Sequence, residues 1–215
     1  MKAAEHTGIW GRSKSGKSTQ AKAMIKRHDK VIVFDCLNEY KGIAPVKVSS
    51  RLSLLRAMKK PRFKIRYVPD GPDFDAEQEL NRLCKILFDV QGPYRDTGKG
   101  AILTLVVEEM AECAPNVRRV NSPFQAMCSR GRHYGVQIIG ISQRMADVTM
   151  SFRGNTNADY FFPLRTDSDF KAAADLCRAA NPDAETALKK LTRGNYVFIG
   201  NGEFKTGNNG FRKTK

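Results

Sequence analysis

The distribution of apolar residues predicts several buried strands. Residues 31–34, 101–107 and 136–141 form short runs that are almost entirely apolar. Runs of this length are typical of strands covered on both faces of a parallel sheet. Residues 63–68 alternate apolar and polar like a half-buried strand, and further strands are predicted at residues 3–10, 158–163 and 196–199.

Helical patterns separate these runs. Residues 75–90 have apolar side chains at helical spacing and acidic side chains in the first turn. At residues 122–131, Ser122 is an N-cap candidate and Pro123 suits the first helical position. Other helices are predicted at residues 18–27, 50–59, 145–152, 168–179 and 182–191, with a loop at 91–100. The alternation predicts a three-layer α/β domain with a mostly parallel central sheet at residues 1–203, followed by a basic flexible tail at 204–215.

Composition adds an electrostatic expectation. The 215 residues are 41% hydrophobic and carry a formal net charge of +15. This excess indicates a polyanionic partner, with nucleic acid first and an anionic membrane surface second. The five cysteines are dispersed, which argues against a disulfide framework or a zinc site and favours reduced thiols. The apolar run at 101–107 is too short to cross a bilayer, so we expect no transmembrane segment.

A phosphate-binding loop follows the first predicted strand and precedes the first predicted helix. Residues 11–18 match G-x-x-x-x-G-K-S/T at every fixed position. In this pattern Lys17 reaches the β- and γ-phosphates of ATP, and Ser18 holds Mg²⁺. The residues assigned to nucleotide binding are Gly11, Arg12, Ser13, Lys14, Ser15, Gly16, Lys17, Ser18 and Thr19.

Two acids end the most strand-like run of the chain. Glu108 and Glu109 follow residues 101–107 directly, as in a Walker B element. We assign Glu108 to the Mg²⁺ shell, although it is one methylene longer than the usual Asp. We assign Glu109 as the general base that polarises the attacking water. The alternative is a strand that happens to end in solvated carboxylates.

Polar residues around the strand at 136–141 complete the candidate set. Gln143 follows this strand and is placed to hydrogen-bond the γ-phosphate or its water, or else is an ordinary polar residue at a strand end. Arg130 and Arg132 precede the strand. Either arginine is a candidate for reaching a neighbouring subunit's site, and the alternative is a solvated surface residue.

Together these motifs resemble the HerA/FtsK superfamily of DNA-translocating ATPases, with the greatest similarity to the genome-packaging ATPases of tailless, membrane-containing viruses. The segments that carry the resemblance are residues 11–19, 35–40, 103–109, 131–136, 141–144 and 191–197. The segment 35–40 is similar to the family's D-x-x-G-E-Y, except that Asn38 replaces the glycine. The second departure from the family's pattern is Glu108, which replaces the more usual Asp.

The resemblance implies a RecA/FtsK-HerA-like P-loop NTPase that packages double-stranded DNA. It implies a homo-oligomeric ring, with six subunits expected, DNA in a central channel and nucleotide at each subunit boundary. In that arrangement Arg132 is the arginine finger acting in trans. It also implies docking to capsid vertex proteins, first in the host cytoplasm and then in the virion. Channel-lining candidates, which are otherwise solvated surface residues, are Arg95, Lys99, Arg118 and Arg119.

Three other functions remain open from the sequence. A related motor would pump DNA in conjugation or in phage export. A small-molecule phosphotransferase would need a second substrate pocket and leaves the charge of +15 unexplained. A structural DNA-binding protein with a vestigial ATP site conflicts with the intact Lys17, Ser18 and Glu109.

Overall fold

The computed structural model of the protein describes residues 4–71, 73–117 and 121–210. Its strands are β1 His6–Trp10, β2 Lys30–Phe34, β3 Val46–Val48, β4 Phe63–Tyr67, β5 Leu103–Val107, β6 Val136–Ser142, β7 Thr156–Phe161, β8 Asn195–Gly200 and β9 Glu203–Asn208. Within the described residues they form one sheet in the order β3-β4-β2-β5-β6-β1-β7-β8-β9. Strands β1 to β7 are parallel, and β8 and β9 add antiparallel strands at one edge.

Helices cover both faces of the sheet. They are α1 Lys17–Ile25, α2 Arg51–Ala57, α3 Ala76–Val90, α4 Gly92–Thr97, α5 Met110–Cys113, α6 Pro123–Arg130, α7 Met150–Arg153, α8 Asp167–Cys177 and α9 Ala184–Lys189. Along β2, Val31 and Val33 pack on the α1 face, while Ile32 and Phe34 pack on the opposite face. Burial on both faces explains the continuous apolar runs. The expected three-layer α/β fold with a mostly parallel sheet is therefore confirmed.

The glycine and charge content of residues 91–100 predicts a loop, and this prediction is wrong. Helix α4 occupies Gly92–Thr97. The side chain of Gln91, just before this helix, donates to the Tyr134 carbonyl at 3.0 Å. The ring of Tyr94 packs so closely on Gly135 that a Cβ added there would lie 2.8 Å from it. Contacts distant in sequence thus stabilise a helix that local propensity disfavours.

The expected flexible tail at 204–215 is wrong in its first part. Residues 203–208 form β9, which pairs antiparallel with β8. The partly buried Phe204 packs against the core and helps to hold this strand in place. The glycine-rich composition of the segment gave no sign of this contact. Residues 211–215 lie outside the described residues.

Smaller differences concern short elements. The helix expected at 145–152 is confined to Met150–Arg153. Residues 145–147 form a bend and a turn instead, and Val148 then pairs with Pro115 in an isolated bridge. Strand β3 and helix α5 were not predicted, since three- and four-residue elements carry too little periodicity to detect. All five cysteines are free. Among the described residues, no helix has both the length and the apolar character to cross a membrane.

A buried carboxyl group lies beside the first strand. Trp10 Nε1 donates to Asp159 Oδ1 at 2.7 Å, and Thr156 Oγ1 donates to Asp159 Oδ2 at 3.0 Å. Gly8 is required here, because a Cβ would overlap the Asp159 carboxylate and approach the Trp10 ring to 2.5 Å. Burial raises the pKa of Asp159 to about 6, against the hydrogen bonds that lower it.

The burial of Asp159 predicts how the free energy of unfolding depends on pH. The folded-state pKa exceeds the unfolded one, so Asp159 favours folding at low pH and that contribution is lost as pH rises from about 4 to 6. Since each pKa unit corresponds to about 1.4 kcal/mol, the loss amounts to about 3 kcal/mol. We expect the free energy of unfolding of Asp159→Asn, relative to wild type, to rise by that amount between pH 3 and pH 7.

Denaturant unfolding at a series of pH values measures this difference. Buried His6, whose pKa is lowered to about 4 by burial, titrates in the same window but is present in both proteins and cancels. The exposed Asp70→Asn is the matched control for the exchange of a carboxyl group for an amide. A pH-independent difference for Asp159→Asn would contradict the prediction.

Candidate active site

The sheet order brings the predicted motifs to one edge. The carboxyl ends of β2, β5, β6 and β1 are adjacent in that order, and each is followed by a candidate segment. Strand β6 lies between the strand of the phosphate loop and the strand of the paired acids. The carboxyl edge of an open α/β sheet is where ligands bind, so the topology assembles a single site from residues distant in sequence.

The phosphate loop is held by its neighbours on both sides. Gly11 N–H donates to the Ser142 carbonyl at 3.3 Å, and Arg12 N–H donates to the Pro163 carbonyl at 2.8 Å. Gly11 and Gly16 have φ values of 148° and 119°, which side chains rarely tolerate. Gly16 begins α1 without a side-chain cap, so the first N–H groups of that helix remain available to an anion.

Lys17 is buried at the base of this loop. Its Nζ donates to the Arg12 carbonyl across the loop at 3.0 Å. Burial lowers the pKa of Lys17, while the charges of Glu109 and then Glu108 raise it. The ammonium is therefore largely shielded from water, and the two acids partly balance its charge.

The loop also has a feature that fits a bound phosphate. Among the described residues, Ser15 Oγ is one of the buried side-chain atoms without a hydrogen-bond partner. An unsatisfied buried hydroxyl is costly and needs an explanation. Together with the uncapped start of α1, it makes this loop a cradle that matches the phosphates of a nucleotide.

A second element, formed by residues at the base of the β8–β9 hairpin, docks on the phosphate loop. Gly194 N–H donates to the Ser15 carbonyl at 2.9 Å, and Asn209 Nδ2 donates to the Gly16 carbonyl at 2.8 Å. Asn209 N–H in turn donates to the Gly194 carbonyl at 3.0 Å. The β8–β9 hairpin thus fixes the loop from outside the motif, and no local signal marked Asn209 for this role.

Ser18 and Glu108, the two residues assigned to Mg²⁺, are in direct contact. Ser18 Oγ donates to Glu108 Oε1 at 2.7 Å, and Tyr40 Oη donates to Glu108 Oε2 at 2.6 Å. Burial raises the pKa of Glu108, whereas these two hydrogen bonds lower it. Burial, followed by the Glu108 charge, raises the pKa of Tyr40, so the phenol remains a donor.

This pair suits Mg²⁺. No cluster of three or more His, Cys, Asp or Glu side chains able to hold a metal occurs in the described ranges. Mg²⁺, however, is commonly held by one or two protein oxygens together with waters and substrate phosphates. The adjacent hydroxyl and carboxylate of Ser18 and Glu108 supply such oxygens beside the phosphate loop.

The segment after β2 orients Tyr40. Asp35 is fully buried, and its carboxylate accepts the N–H groups of Glu39 and Tyr40, each at 2.9 Å. Asn38, the departure from the family's glycine, has a φ of 56°. Asparagine is among the residues that best tolerate this left-handed conformation. The replacement therefore preserves the turn that the glycine would have allowed.

Glu109 caps α5 in a left-handed conformation, with φ 49° and ψ 52°. A glutamate in this region is uncommon, and such strain is concentrated at functional sites. The charge of Glu109 raises the pKa of Lys17 more than the charge of Glu108 does. Both acids therefore face the phosphate loop, and Glu109 is the half-buried one, accessible to water.

Gln143 lies between the loop and the acids. It directly follows Ser142, whose carbonyl accepts the Gly11 N–H, and its side chain is exposed. This position follows from the insertion of β6 between β1 and β5. Gln143 is thus at the same edge as the phosphate loop, as expected.

The arginines lie at the opposite edge. Arg130 ends α6, and Arg132 belongs to the 3-10 turn Gly131–Tyr134 that precedes β6. Both side chains are exposed, and the charge of Arg132 contributes to the lowered pKa of His6 at the start of β1. The seven residues of β6 lie between Arg132 and the edge that carries the phosphate loop. At a rise of about 3.3 Å per residue, Arg132 is about 20 Å from the phosphate loop of its own chain.

The remaining basic candidates differ in their surroundings. Arg95 Nε donates to Asp96 at 2.7 Å, and its guanidinium lies 5.3 Å from the centre of the Tyr134 ring. Lys99 is exposed. Arg118 and Arg119 lie outside the described residues.

No family model and no curated protein sequence matches the chain. Among solved structures, the genome packaging NTPase B204 from Sulfolobus turreted icosahedral virus 2, in complex with ATP-gammaS, has a TM-score of 0.73 at 16% identity, covering 96% of this chain and 97% of that chain. VirB4 of Thermoanaerobacter pseudethanolicus has a TM-score of 0.62 at 12% identity, covering 94% and 87%. The pCW3 conjugation coupling protein TcpA has a TM-score of 0.59 at 13% identity, covering 95% and 59%.

These identities are low, so the similarity concerns the fold. The chain has the P-loop NTPase fold shared with a viral genome-packaging NTPase, a conjugation coupling protein and VirB4. The resemblance inferred from the motifs is confirmed at this level.

Proposed function

We propose that this chain is an ATP hydrolase that drives double-stranded DNA into a preformed viral capsid. The observation that carries the proposal is the contact of Ser18 with Glu108 beside the buried Lys17, which unites the phosphate loop and the paired acids in one site. The net charge of +15 supports a polyanionic partner. The fold shared with a genome packaging NTPase supports the packaging role.

Each side chain has a distinct part in hydrolysis. Lys17 offsets the charge of the β- and γ-phosphates, and Ser18 and Glu108 hold Mg²⁺. Mg²⁺ held by these two residues would supply positive charge that offsets the charge developing on the transferred phosphoryl group. Glu109 accepts the proton of the attacking water, and Gln143 orients that water. Each of these groups lies at the carboxyl edge of the sheet.

The assembly follows from the position of Arg132. A guanidinium about 20 Å from its own phosphate loop contributes to hydrolysis only from a neighbouring subunit. We therefore propose a homo-oligomeric ring, with six subunits expected, that encloses DNA and docks at a capsid vertex. Assembly would take place in the host cytoplasm and leave the protein in the virion. A DNA pump for conjugation is the second candidate, favoured by the fold shared with the coupling protein TcpA.

Titration with DNA tests this function. We expect Mg²⁺-dependent ATPase activity to be stimulated by two duplexes of unrelated sequence. The affinity for both should fall with salt at a slope of about −0.9 per phosphate contacted on a logarithmic scale. Lys17→Ala is the control, and it should still bind DNA but lose hydrolysis, because no other side chain replaces the cation.

Two results would contradict the proposal. A flat salt response, or strong preference for one duplex, would exclude a surface that tracks phosphates. Stimulation by a small-molecule acceptor but not by DNA would instead identify a phosphotransferase. Packaging and conjugation both require DNA as the substrate, so both proposals would then fail.

A further inference from the structure

One edge of the sheet has an unusual distribution of charge. From residue 41 to residue 69 the sequence contains nine Lys and Arg and no Asp or Glu. These residues form β3, α2, β4 and their connections. Arg66 is buried and donates to the Ala44 carbonyl at 3.0 Å. The other eight, which are exposed or half-exposed and which we call the basic edge, are Lys41, Lys47, Arg51, Arg56, Lys59, Lys60, Arg62 and Lys64.

A groove opens within the basic edge because β3 is short. Val46, its first residue, pairs with Ile65, so Phe63 and Lys64 extend beyond it. The adjoining cavity has a volume of about 650 Å³. Its lining includes the apolar residues Ile43, Pro45, Ala57 and Phe63. The charged residues of the lining are Lys26, Lys60, Arg62 and Lys64 together with one acid, Asp29.

Nearby acids do not neutralise this surface. Asp29 lies 3.5 Å from Arg62, and Asp89 lies 3.9 Å from Arg51. All four side chains are more than half exposed. Exposed ion pairs of this kind contribute little and are readily exchanged for other partners. Most of the positive charge of the basic edge therefore remains available to an anionic ligand.

We propose that the basic edge is the surface that contacts the phosphate backbone of double-stranded DNA. This inference rests on the proposed function and names the surface for its substrate. A backbone contact requires clustered Lys and Arg side chains without base-reading groups. A membrane surface would also require a broad apolar face, whereas the large exposed apolar side chains of the described edge are Val46 and Leu52.

Charge neutralisation tests the inference. The edge variant carries Lys47→Gln, Lys59→Gln, Lys60→Gln and Arg62→Gln. The matched control carries four changes of the same charge on α8, α9 and the residues that end them: Lys171→Gln, Arg178→Gln, Lys189→Gln and Lys190→Gln. All eight side chains are exposed, and ATPase activity without DNA should be unchanged in both variants, which verifies folding.

The readout is the affinity for duplex DNA as a function of salt. Each phosphate contact contributes about 0.9 to the magnitude of the slope, so the loss of four contacts should lower that magnitude by about 3.6. We expect the affinity of the edge variant at low salt to fall by at least about tenfold. The control should match wild type. Equal losses in both variants would show an effect of net charge alone and overturn the inference.

Other outcomes separate the two proposals. If wild type binds DNA and the edge variant keeps its slope, the basic edge is excluded while the motor function stands. If wild type does not bind DNA, the proposed function fails, and this inference fails with it. Sedimentation with phosphatidylcholine–phosphatidylglycerol vesicles is the last arm. Loss of vesicle binding in the edge variant, with DNA binding retained, would identify a membrane surface and overturn the inference.

Discussion

Replacing Arg132 with alanine is expected to lower ATP turnover by about 10³- to 10⁵-fold, the range known for arginine fingers. ATP binding and assembly should be retained. The exposed side chain lies on the 3-10 turn before β6, at the edge opposite the phosphate loop. It is therefore too distant to act on nucleotide bound by its own chain, and a guanidinium supplied across a subunit boundary is the physical reason for so large an effect.

Steady-state ATPase activity of the assembled protein measures this loss. Arg130→Ala is the matched control, because Arg130 is also exposed and precedes the same strand. If Arg130 were the finger, the phenotypes of the two variants would be exchanged. An assembled Arg132→Ala ring that hydrolyses ATP at the normal rate would end the assignment.

Mixing two inactive proteins tests action in trans. Arg132→Ala subunits retain Glu109, and Glu109→Gln subunits retain Arg132. Some boundaries of a mixed ring would then contain both intact groups. Recovered ATPase activity would demonstrate that the two residues serve one site from different subunits.

Replacing Glu109 with glutamine is expected to lower turnover by about 10²- to 10⁴-fold, the usual contribution of general acid–base catalysis. The amide keeps the shape of the side chain but cannot accept a proton. ATP binding should persist, because the phosphate loop is unchanged. Glu109 is half-buried, and its charge raises the pKa of Lys17 at the phosphate loop, which is consistent with the proposed role as general base.

The neighbouring acids supply the comparison. Glu108→Gln should mainly raise the Mg²⁺ concentration needed for activity, because Glu108 accepts the Ser18 hydroxyl at 2.7 Å. The exposed Glu112→Gln on α5 is the control and should be near wild type. If Glu108→Gln lost turnover at saturating Mg²⁺ while Glu109→Gln only required more Mg²⁺, the two roles would have to be exchanged.

Local patterns were sufficient for the elements that make most of the site. The phosphate loop is specified by the φ values that Gly11 and Gly16 adopt, a requirement visible in the residue type itself. The central strands are apolar on both faces because helices cover both faces, so their runs stand out in the sequence. Segments with such signals were predicted within a few residues of their observed bounds.

Elements without a local signal depended on the tertiary structure. Helix α4 and strand β9 are stabilised by contacts with residues distant in sequence, such as the Gln91–Tyr134 hydrogen bond and the pairing of β9 with β8. The same is true of Asn209, which reaches the phosphate loop only because the hairpin returns to it. Secondary-structure propensity depends on residues that are close along the chain. It therefore could not predict elements that are stabilised by contacts between distant residues.

The sequence by itself determined which residues we propose for the ATP site: Lys17 and Ser18 in the loop, and Glu108 and Glu109 after an apolar strand. Only the tertiary structure decided their arrangement. The insertion of β6 between β1 and β5 places Gln143 beside the loop and Arg132 at the far edge. The physical reason is that strand order is set by packing and pairing across the whole sheet, whereas a motif records only the local backbone and side-chain chemistry.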